Sequence, residues 1–408
     1  MFSGPSMAAI AWCLGLVVLA TLISLYWTFD GDRGCFWFVL LFLWRYTRFP
    51  VCLLGFVLYR PVSKAARPTY SSHKDVTIIM PTIDPRGHDF DECIRSVAAT
   101  VPAKIIVVTA GEQLLRVTES VIAPYADMYQ MTEFTVKSSD ITSKREQVAV
   151  AIGFVTTPVT VLIDDHIFWK PEFLSSLLHA FEDPSVGFVA TNKRVRRRDG
   201  LSLWNRCWNM LGAIYLERHN FEIRSTNAID GGVFVVSGRT CAIRTSILQH
   251  ETFIPGYLHE KFFLGKYGPL NADDDNYITR FVVRMGWDIK VHYSDQTCIE
   301  TTVGVDSPVV KKFLDPLLMY LMTRTSWYKQ ADHAYVLLIA LALWILLTKL
   351  VKVWPYYARH PQDIVFFPVY LLFAYFHSCI KLYALVTFWD CSWSGRNLKE
   401  AVAAVEPV

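Results

Sequence analysis

The sequence lacks the cysteine patterns of zinc sites and of disulfide frameworks. Its nine cysteines include no CxxC pair, and several of them, such as Cys13, Cys52 and Cys379, lie inside apolar runs. A reducing compartment fits this distribution. The chain also lacks a strong charge of one sign, because its formal net charge is only +3; we therefore expect no nucleic-acid partner. It contains no internal repeat or low-complexity segment, which argues against repeat architectures.

The chain is instead rich in apolar and aromatic residues. They make up 52% and 14% of the sequence, and the mean hydropathy of +0.27 is higher than soluble domains usually show. Four apolar runs have about the length that crosses a bilayer: residues 7–28, 35–59, 334–354 and 364–389. A cleaved signal peptide is the rival interpretation of the first run, but that run is long and no basic segment precedes it. We predict an integral membrane protein with four transmembrane helices.

The second apolar run contains two charges that distinguish it from the others. Arg45 and Arg48 are costly in lipid, so this segment is expected to form a hairpin or to face a polar cavity. An even number of spans places both termini and the middle of the chain on one side of the membrane. The flank after this run is basic, with Arg60, Lys64, Arg67 and Lys74. The positive-inside rule makes that side the cytosol.

Residues 75 to about 300 follow a different pattern, in which short apolar strands alternate with helical stretches. The predicted strands are residues 76–81, 104–109, 131–136, 159–164 and 186–191. Alternation of this kind predicts an α/β fold with a doubly wound sheet. Ligands of such sheets bind beyond the carboxyl ends of the strands. The polar residues that follow each strand are therefore the candidates for chemistry.

The predicted strand at 159–164 ends in a polar triplet, Asp164, Asp165 and His166. Carboxylate oxygens suit Mg²⁺ or Mn²⁺, and an imidazole shifts the preference toward Mn²⁺. A structural turn explains an isolated triplet almost as well, but it does not explain the very apolar strand before it. The segment therefore predicts a divalent metal that holds a diphosphate.

Two more polar segments lie near predicted strand ends. Thr82 and Asp84 follow the first strand, where an ordinary Asp-Pro turn is the alternative interpretation. Lys144 and Arg145 stand at the start of a helix for which Ser143 is the expected N-cap. These two basic side chains are candidates for phosphate contact, and a solvated basic turn explains them equally well.

Two more segments contain candidate site residues: a glycine-containing segment and an acidic triplet. Residues 231–245 begin with paired glycines, continue with a predicted apolar strand and then reach Ser237 and Gly238; glycine at such a place lets the backbone approach a ligand closely. Residues 273–275 are three consecutive aspartates. Adjacent carboxylates repel unless a cation is near. A solvated turn or a helix N-terminus and a catalytic base are the alternatives for this triplet.

Taken in order, these segments resemble the processive inverting glycosyltransferases of family 2, which include hyaluronan, chitin and cellulose synthases. The resemblance covers roughly residues 70–330 and the flanking apolar runs, and it is greatest to fungal membrane polysaccharide synthases. It implies a GT-A fold on the cytosolic face of a membrane, with the plasma membrane as the expected location. It also implies a UDP-sugar donor, a growing polysaccharide acceptor, and Mn²⁺ or Mg²⁺ as cofactor.

The resemblance implies roles for individual residues. Asp164 and His166 match the first and last positions of the DxD metal motif, and Asp164 also belongs to the donor site. Asp275 matches the final aspartate of the GDD/TED motif, which is the general base. The expected donor-binding residues are Thr82, Asp84, Glu112, Lys144, Arg145, Asp164, Arg324 and Trp327. The expected acceptor-binding residues are Ser237, Gly238, Asp274 and Trp327.

The sequence departs from the family pattern at three places. His166 replaces the usual aspartate of the metal motif. A strict QxxRW motif would need Gln at position 323 and Arg at 326, where this chain has threonine and serine; Arg324 and Trp327 are three residues apart and share a helix face. The second strand ends near Glu112, where many relatives carry an aspartate for the nucleoside.

The resulting interpretation is a membrane enzyme that polymerises sugar from a UDP-sugar and passes the product through its own spans. Transfer of one sugar to a ceramide or dolichol lipid is the first alternative, and a catalytically inactive scaffold is the second. The sequence leaves the sugar, the linkage and the oligomeric state open. The predicted division is a transmembrane region at 1–62, a GT-A domain at 63–305, an interfacial helix at 306–331, a transmembrane region at 332–390 and a cytosolic tail at 391–408.

Overall fold

A computed structural model describes residues 17, 20–29, 31–197, 200, 202–271, 273–302 and 314–373. These residues form two compact units. The described residues between 55 and 308 form the sheet unit, and those up to residue 54 and from 314 onward form the helical unit.

The sheet unit is an α/β structure. Its described strands are β1 (Val76–Pro81), β2 (Lys104–Ala110), β3 (Glu133–Ser139), β4 (Val159–Ile163), β5 (Ile167–Phe168), β6 (Val186–Val195), β7 (Thr240–Arg244), β8 (Asp288–His292) and β9 (Cys298–Thr301). They pair in the order β3–β2–β1–β4–β7–β6–β9–β5, and β8 pairs with β6. Strands β1 to β4 are parallel, whereas β7 runs antiparallel to both β4 and β6. The sheet is therefore mixed, and not uniformly parallel as a doubly wound sheet would be.

Helices cover both faces of this sheet. They are α3 (Ser72–Asp75), α4 (Phe90–Ala98), α5 (Gly111–Met128), α6 (Lys144–Ile152), α7 (Phe173–Leu178), α8 (Leu203–Asp230), α9 (Thr245–Leu248), α10 (Phe253–Leu258) and α11 (Asp274–Arg284), with a 3₁₀ turn at His179–Glu182. Two apolar clusters form the core, one on each face. Every residue of β1 and of β4 is buried, as expected for parallel strands covered on both faces.

Most predicted strands are present, with two differences in the sheet unit. The strand predicted at 131–136 begins two residues later, because Thr132 closes a turn by donating its N–H to the Tyr129 carbonyl. The apolar strand predicted at 233–236 is absent, and β7 forms just after it. In that segment the N–H of Val236 donates to Oγ1 of Thr279 in α11. The backbone there is held by a helix and not by a neighbouring strand.

The helical unit contains α1 (Arg33–Tyr46), α2 (Arg48–Leu58, whose last four residues belong to the sheet unit), α12 (Leu314–Arg324), α13 (Ser326–Gln330) and α14 (Ala334–Arg359), followed by a 3₁₀ turn at Pro361–Phe366. Its apolar core joins α1, α12 and α14. Arg45 of α1 forms an ion pair with Asp315 of α12, and Asp315 accepts a second ion pair from Lys349 of α14 at 2.8 Å. This buried pairing explains how Arg45 is tolerated inside an apolar run, because each charge has an opposite partner.

Among the described residues, two helical stretches are long and apolar enough to cross a membrane: Arg33–Leu58 and Ala334–Arg359. They coincide with the second and third predicted spans. The first predicted span, 7–28, lies partly outside the described residues, and the fourth, 364–389, is described only to residue 373. A shorter apolar helix at Pro361–Phe373 overlaps the fourth. The four-span arrangement remains a prediction.

Candidate active site

The site begins where β1 and β4 end, at the carboxyl edge of the parallel strands. The hydroxyl of Thr82, one residue beyond β1, donates to Oδ2 of Asp165 at 2.7 Å. Gln147 of α6 donates from Nε2 to the carbonyls of both Thr82 and Val108, each at 2.9 Å. These bonds fix the ends of β1, β2 and β4 relative to one another. A crevice at this edge is where an α/β sheet ordinarily binds a ligand.

Lys144 connects the polar segments that the sequence keeps far apart. Its Nζ lies 2.8 Å from Oδ1 of Asp164 and 3.2 Å from Oδ2 of Asp274, and it donates to the carbonyl of Gly238 at 3.3 Å. Burial lowers the pKa of the Lys144 ammonium, but Asp164 and Asp274 outweigh that effect and raise it above its ordinary value. Burial likewise favours a raised pKa for Asp164, yet Lys144 lowers it. Both groups therefore remain charged.

The three consecutive aspartates have three different environments. Asp273 is exposed and stands just before α11 with a positive φ of 56°. Asp274 is the first residue of that helix, is buried, and pairs with Lys144. Asp275 is half-buried and has no ion pair among the described residues. The ammonium of Lys144 offsets the charge of Asp274, and this reduces the repulsion between the three carboxylates.

Asp275 is held by backbone donors that leave it able to accept a proton. Its Oδ2 accepts the N–H of Gly238 at 3.1 Å, and its Oδ1 accepts the N–H of Asn276 at 2.8 Å. Desolvation raises the pKa of this carboxyl, and the charge of Asp274 raises it further; Gly238 and Lys144 act in the opposite direction. A carboxylate with a raised pKa in a polar crevice has the properties of a general base.

The absence of a side chain at Gly238 matters at this point. A Cβ there would lie 3.3 Å from Nζ of Lys144 and 3.4 Å from Cβ of Asp275. A side chain would thus crowd the ammonium of Lys144 and contact Cβ of the candidate base. Glycine lets this backbone segment serve as the donor for Asp275.

The polar triplet after β4 fits a divalent cation that is shared with a substrate. Nδ1 of His166 lies 3.1 Å from Oδ1 of Asp165, and Asp165 is itself oriented by Thr82. A carboxylate on one imidazole nitrogen is the usual arrangement around a metal-bound histidine. The described residues contain no cluster of three or more acidic, histidine or cysteine side chains that could hold a metal alone. That Asp164 and His166 hold an ion together with diphosphate oxygens remains a prediction.

Arg145 lies beside this site but makes its contacts with the protein. Its guanidinium is buried and donates to the carbonyls of Tyr257 and Asp273, at 2.7 Å and 3.1 Å, and to Oε2 of Glu260 at 2.8 Å. These bonds anchor the segment that leads into the acidic triplet. The geometry gives Arg145 a positioning role, in contrast to the phosphate contact that the sequence suggested.

Arg239 is the site cation that the sequence analysis did not select. Its carbonyl accepts the N–H of Asp164 at 3.0 Å, and its guanidinium has no hydrogen bond or ion pair with any described residue. Buried Lys193 and half-buried His219 lie near it, and Lys193 Nζ is 2.9 Å from His219 Nδ1. Burial and then the charge of Arg239 lower the pKa of Lys193 well below its ordinary value. An excess of basic groups favours an anionic ligand here.

The other predicted donor and acceptor residues are placed as follows. Asp84 lies just beyond β1 with much of its surface exposed, and partial desolvation and the charge of Asp165 raise its pKa. Glu112 is exposed in the first turn of α5, directly after β2. Oγ of Ser237 accepts the N–H of Arg239 at 3.5 Å. All three lie in the sheet unit, next to segments that form the site.

Arg324 and Trp327 belong to the helical unit. Arg324 ends α12, and Trp327 lies in α13, 44% exposed and 5.7 Å from the Phe29 ring. Ser326, at the position of the motif arginine, donates its N–H to Oδ2 of Asp32 at 2.8 Å. This segment is therefore tied to the start of α1, and its role in sugar transfer remains a prediction.

The family model for glycosyltransferase like family 2 matches residues 75–308, which is the sheet unit with the site just described. The chain belongs to this family, and its mixed α/β sheet is a GT-A-like glycosyltransferase fold. It is 32% identical to a type 2 glycosyltransferase of Gibberella zeae, over 88% of this chain and 76% of the relative. A type 2 glycosyltransferase of Zymoseptoria tritici is 31% identical over 89% and 84%. The enzyme is thus a family 2 transferase with fungal relatives.

A third relative and two solved structures are more distant. NDP-glycosyltransferase ltbB of Aspergillus luteorubrus is 30% identical over 63% of this chain and 62% of its own length. The mannosyltransferase PcManGT from Pyrobaculum calidifontis, solved with GDP-Man and Mn²⁺, is 15% identical over 90% and 96% of the two chains, with a TM-score of 0.43. Glucosyl-3-phosphoglycerate synthase from Mycobacterium tuberculosis, solved with Mn²⁺ and UDP-Glc, is 14% identical over 65% and 87%, with a TM-score of 0.35. These two likenesses are too low to transfer a ligand or a mechanism.

Proposed function

We propose that this protein is an inverting, membrane-embedded glycosyltransferase that polymerises sugar from a UDP-sugar and translocates the product. The observation that carries the proposal is the position of Asp275. It is the member of the acidic triplet that has a raised pKa and no ion pair among the described residues. It also lies near Lys144, because a Cβ at Gly238 would be 3.4 Å from Cβ of Asp275 and 3.3 Å from Nζ of Lys144, and Lys144 contacts Asp164.

In the proposed reaction, Asp275 accepts the proton of the acceptor hydroxyl as that oxygen attacks the anomeric carbon of the donor. The new glycosidic bond forms on the face opposite the leaving group, and the bond from the anomeric carbon to the diphosphate oxygen breaks. The electron pair of that bond leaves with the nucleoside diphosphate. A general base at hydrogen-bonding distance contributes about 10²- to 10⁴-fold to such a step.

On the diphosphate side of the site, a metal ion would act together with the fixed positive charge of Arg239. Asp164 and His166 would hold Mn²⁺ or Mg²⁺, which would offset negative charge on the departing diphosphate when bound. Arg239 is the side chain that we assign to the phosphate oxygens, because its guanidinium has no protein partner among the described residues and forks onto such oxygens. Lys144 keeps Asp164 in place, while Thr82, Asp84 and Glu112 border the nucleoside crevice. The word NDP in the name of one relative agrees with a nucleoside-diphosphate donor.

The proposal also assigns an acceptor side and a membrane location. Ser237, Gly238 and Asp274 border the candidate base and would face the acceptor. The apolar stretches Arg33–Leu58 and Ala334–Arg359 support insertion into a bilayer, with the sheet unit on the cytosolic side of the plasma membrane. Arg324 and Trp327 remain assigned to the donor diphosphate and to the acceptor sugar, as the family resemblance implies.

Product sizing tests this proposal. Full-length protein purified in detergent would be incubated with UDP-glucose, UDP-N-acetylglucosamine or UDP-glucuronate, with Mn²⁺ or with a chelator, and the products would be separated by size. We expect one donor to give metal-dependent products much longer than the primer. A single sugar on an added lipid would instead indicate the lipid-acceptor alternative. No transfer and no donor hydrolysis from any UDP-sugar would contradict the enzymatic proposal.

A further inference from the structure

A hairpin over residues 260–270, which we call the tip hairpin, lies between α10 and α11, just before the acidic triplet. Phe262 donates its N–H to the Tyr267 carbonyl at 2.9 Å, and Tyr267 donates its N–H to the Phe262 carbonyl at 3.3 Å. The ring centroids of these two residues are 5.6 Å apart. The N–H of Lys266 donates to the Phe263 carbonyl at 3.1 Å and closes the turn. These contacts give the hairpin a defined tip at residues 263–266.

The tip presents two adjacent apolar side chains to solvent. Leu264 is fully exposed, and Phe263 is 58% exposed. Both have left-handed backbone, with φ of 57° and 51°, and Gly265 follows with φ of 79°. Glycine or asparagine suits such a turn, whereas bulky side chains raise its conformational energy. One exposed leucine would need no explanation, but two large apolar residues at a turn whose backbone disfavours them indicate that the tip contacts an apolar phase.

The charges beside the tip show what kind of apolar phase fits. Lys261 and Lys266 are exposed on either side of the two apolar residues, and neither forms an ion pair with any described residue. Nζ of Lys266 lies 5.4 Å from the centroid of the Tyr267 ring. Residues 261–270 include no aspartate or glutamate. An apolar tip between two lysines is complementary to the surface of an anionic bilayer, which offers acyl chains and negative headgroups together.

The base of the tip hairpin is fixed to the active site. The N–H of Leu270 donates to the Glu260 carbonyl at 2.8 Å. The Glu260 carboxylate forms ion pairs with Arg280 and, at 2.8 Å, with Arg145. Arg145 also donates to the carbonyl of Asp273 in the acidic triplet at 3.1 Å. Because the base is already held, contact at the tip requires little additional ordering of the chain.

We propose that the tip hairpin is a membrane-surface contact of the sheet unit. Phe263 and Leu264 enter the headgroup region of an anionic bilayer, and Lys261 and Lys266 pair with the negative groups of its lipids. Two apolar side chains are too few for a stable protein–protein interface, which buries about 800 Å² on each partner, whereas a lipid surface accepts a small apolar insertion supported by basic charge. The inference goes beyond the proposed function, because this contact does not require the apolar helices to span the bilayer.

Photo-crosslinking to lipid tests this contact without reference to sugar transfer. Full-length protein with the photoreactive residue p-benzoylphenylalanine at position 264 would be exchanged from detergent into phosphatidylcholine, or into an equal mixture of phosphatidylcholine and phosphatidylserine. After irradiation, mass spectrometry of the peptides would quantify lipid adducts. The matched control carries the same photoreactive residue at position 131, because Met131 is an apolar residue that is 70% exposed between α5 and β3. The charge variant combines Lys261→Gln with Lys266→Gln, and Lys290→Gln, at an exposed position of β8, is its control.

We expect about tenfold more lipid adduct at position 264 than at position 131, because only the tip enters the headgroup region. Phosphatidylserine should raise the yield at position 264 about threefold or more, since a lysine near an anionic surface strengthens the attraction about fivefold. The double lysine variant should lose this increase, and Lys290→Gln should keep it. Equal yields at the two positions would overturn the proposal, as would a yield that does not respond to phosphatidylserine or an increase that survives in the double variant. Adducts of position 264 with protein in place of lipid would overturn it too.

Discussion

The Nζ of Lys144 lies 2.8 Å from Oδ1 of Asp164, and this ion pair joins the start of α6 to the end of β4. The same ammonium reaches Asp274 at 3.2 Å. A largely buried cation between a buried and a half-buried carboxylate stabilises most when all three are present, because removal of one leaves uncompensated charge. Lys144 is thus the residue that permits two acidic segments to meet at one site.

Lys144→Met should be strongly destabilising. It keeps most of the apolar stem but leaves Asp164 and Asp274 without their cation, and loss of one partner of a buried pair costs about 3 to 5 kcal/mol. Thermal or denaturant unfolding measures the change. Lys104→Met is the control, because Lys104 pairs with Glu133, which is 64% exposed, and should cost about 1 kcal/mol or less. Equal losses in the two variants would argue against Lys144 as the central cation.

Arg239→Ala should weaken donor binding with little effect on folding. Its guanidinium has no partner among the described residues, so the folded protein loses no ion pair, whereas a bound diphosphate loses a charge-assisted contact of about 1.5 to 3 kcal/mol. We expect KM for the donor to rise about tenfold or more, and Arg239→Lys to recover only part of the loss. Arg284→Ala, in the exposed last turn of α11, is the matched control. An unchanged KM in Arg239→Ala would remove Arg239 from the donor site.

Asp274→Asn should move the acid limb of the pH–rate profile to lower pH. The proposed base acts as a carboxylate, so kcat/KM falls as pH drops through the pKa of Asp275. Desolvation is the main reason that this pKa is raised, and the charge of Asp274 is the second. Removal of that charge lowers the pKa and keeps Asp275 ionised in more acidic solution. An acid limb that stays in place or moves to higher pH would contradict the assignment.

The stability of the sheet unit should fall between about pH 6.5 and pH 4 because of His292. Its folded-state pKa of about 4 lies below the ordinary value of 6.5, so in this window the unfolded chain binds a proton that the folded chain does not. The difference corresponds to a loss of about 3 kcal/mol at the acidic end. His292→Gln does not titrate and should lose less stability over the same window. Parallel stability–pH curves for parent and variant would contradict the prediction.

Local sequence patterns predicted the parts of the fold that depend on neighbouring residues. The apolar runs predicted the bounds of β1, β2 and β4 to within one residue. Ser143 caps α6 as expected by accepting the N–H of Glu146. The polar residues after these strands could be selected as site candidates because ligands bind at the carboxyl ends of parallel strands. The strand predicted at 233–236 was wrong because its backbone bonds to α11, a partner more than 40 positions further along the chain.

The site could be predicted only as a set of candidates, because its charge pairing is tertiary. Nothing in the sequence near Lys144 indicates that its partners are Asp164 and Asp274, or that Arg145 contacts Glu260. Those two cations are paired within the protein, and the guanidinium that is unpaired among the described residues and that we propose for the donor, Arg239, was not selected from the sequence. Arg45 in an apolar run is explained in the same way by Asp315, 270 positions away.

The most direct test of the central claim compares Asp275→Asn with Asp273→Asn. Both changes remove one carboxylate from the same triplet and barely alter shape, and asparagine tolerates the positive φ at position 273. Asp275→Asn should lower kcat about 10²-fold or more while donor affinity stays within about threefold of the parent, and Asp273→Asn should transfer sugar at nearly the parent rate. Turnover by Asp275→Asn within a few-fold of the parent would contradict its assignment as the base.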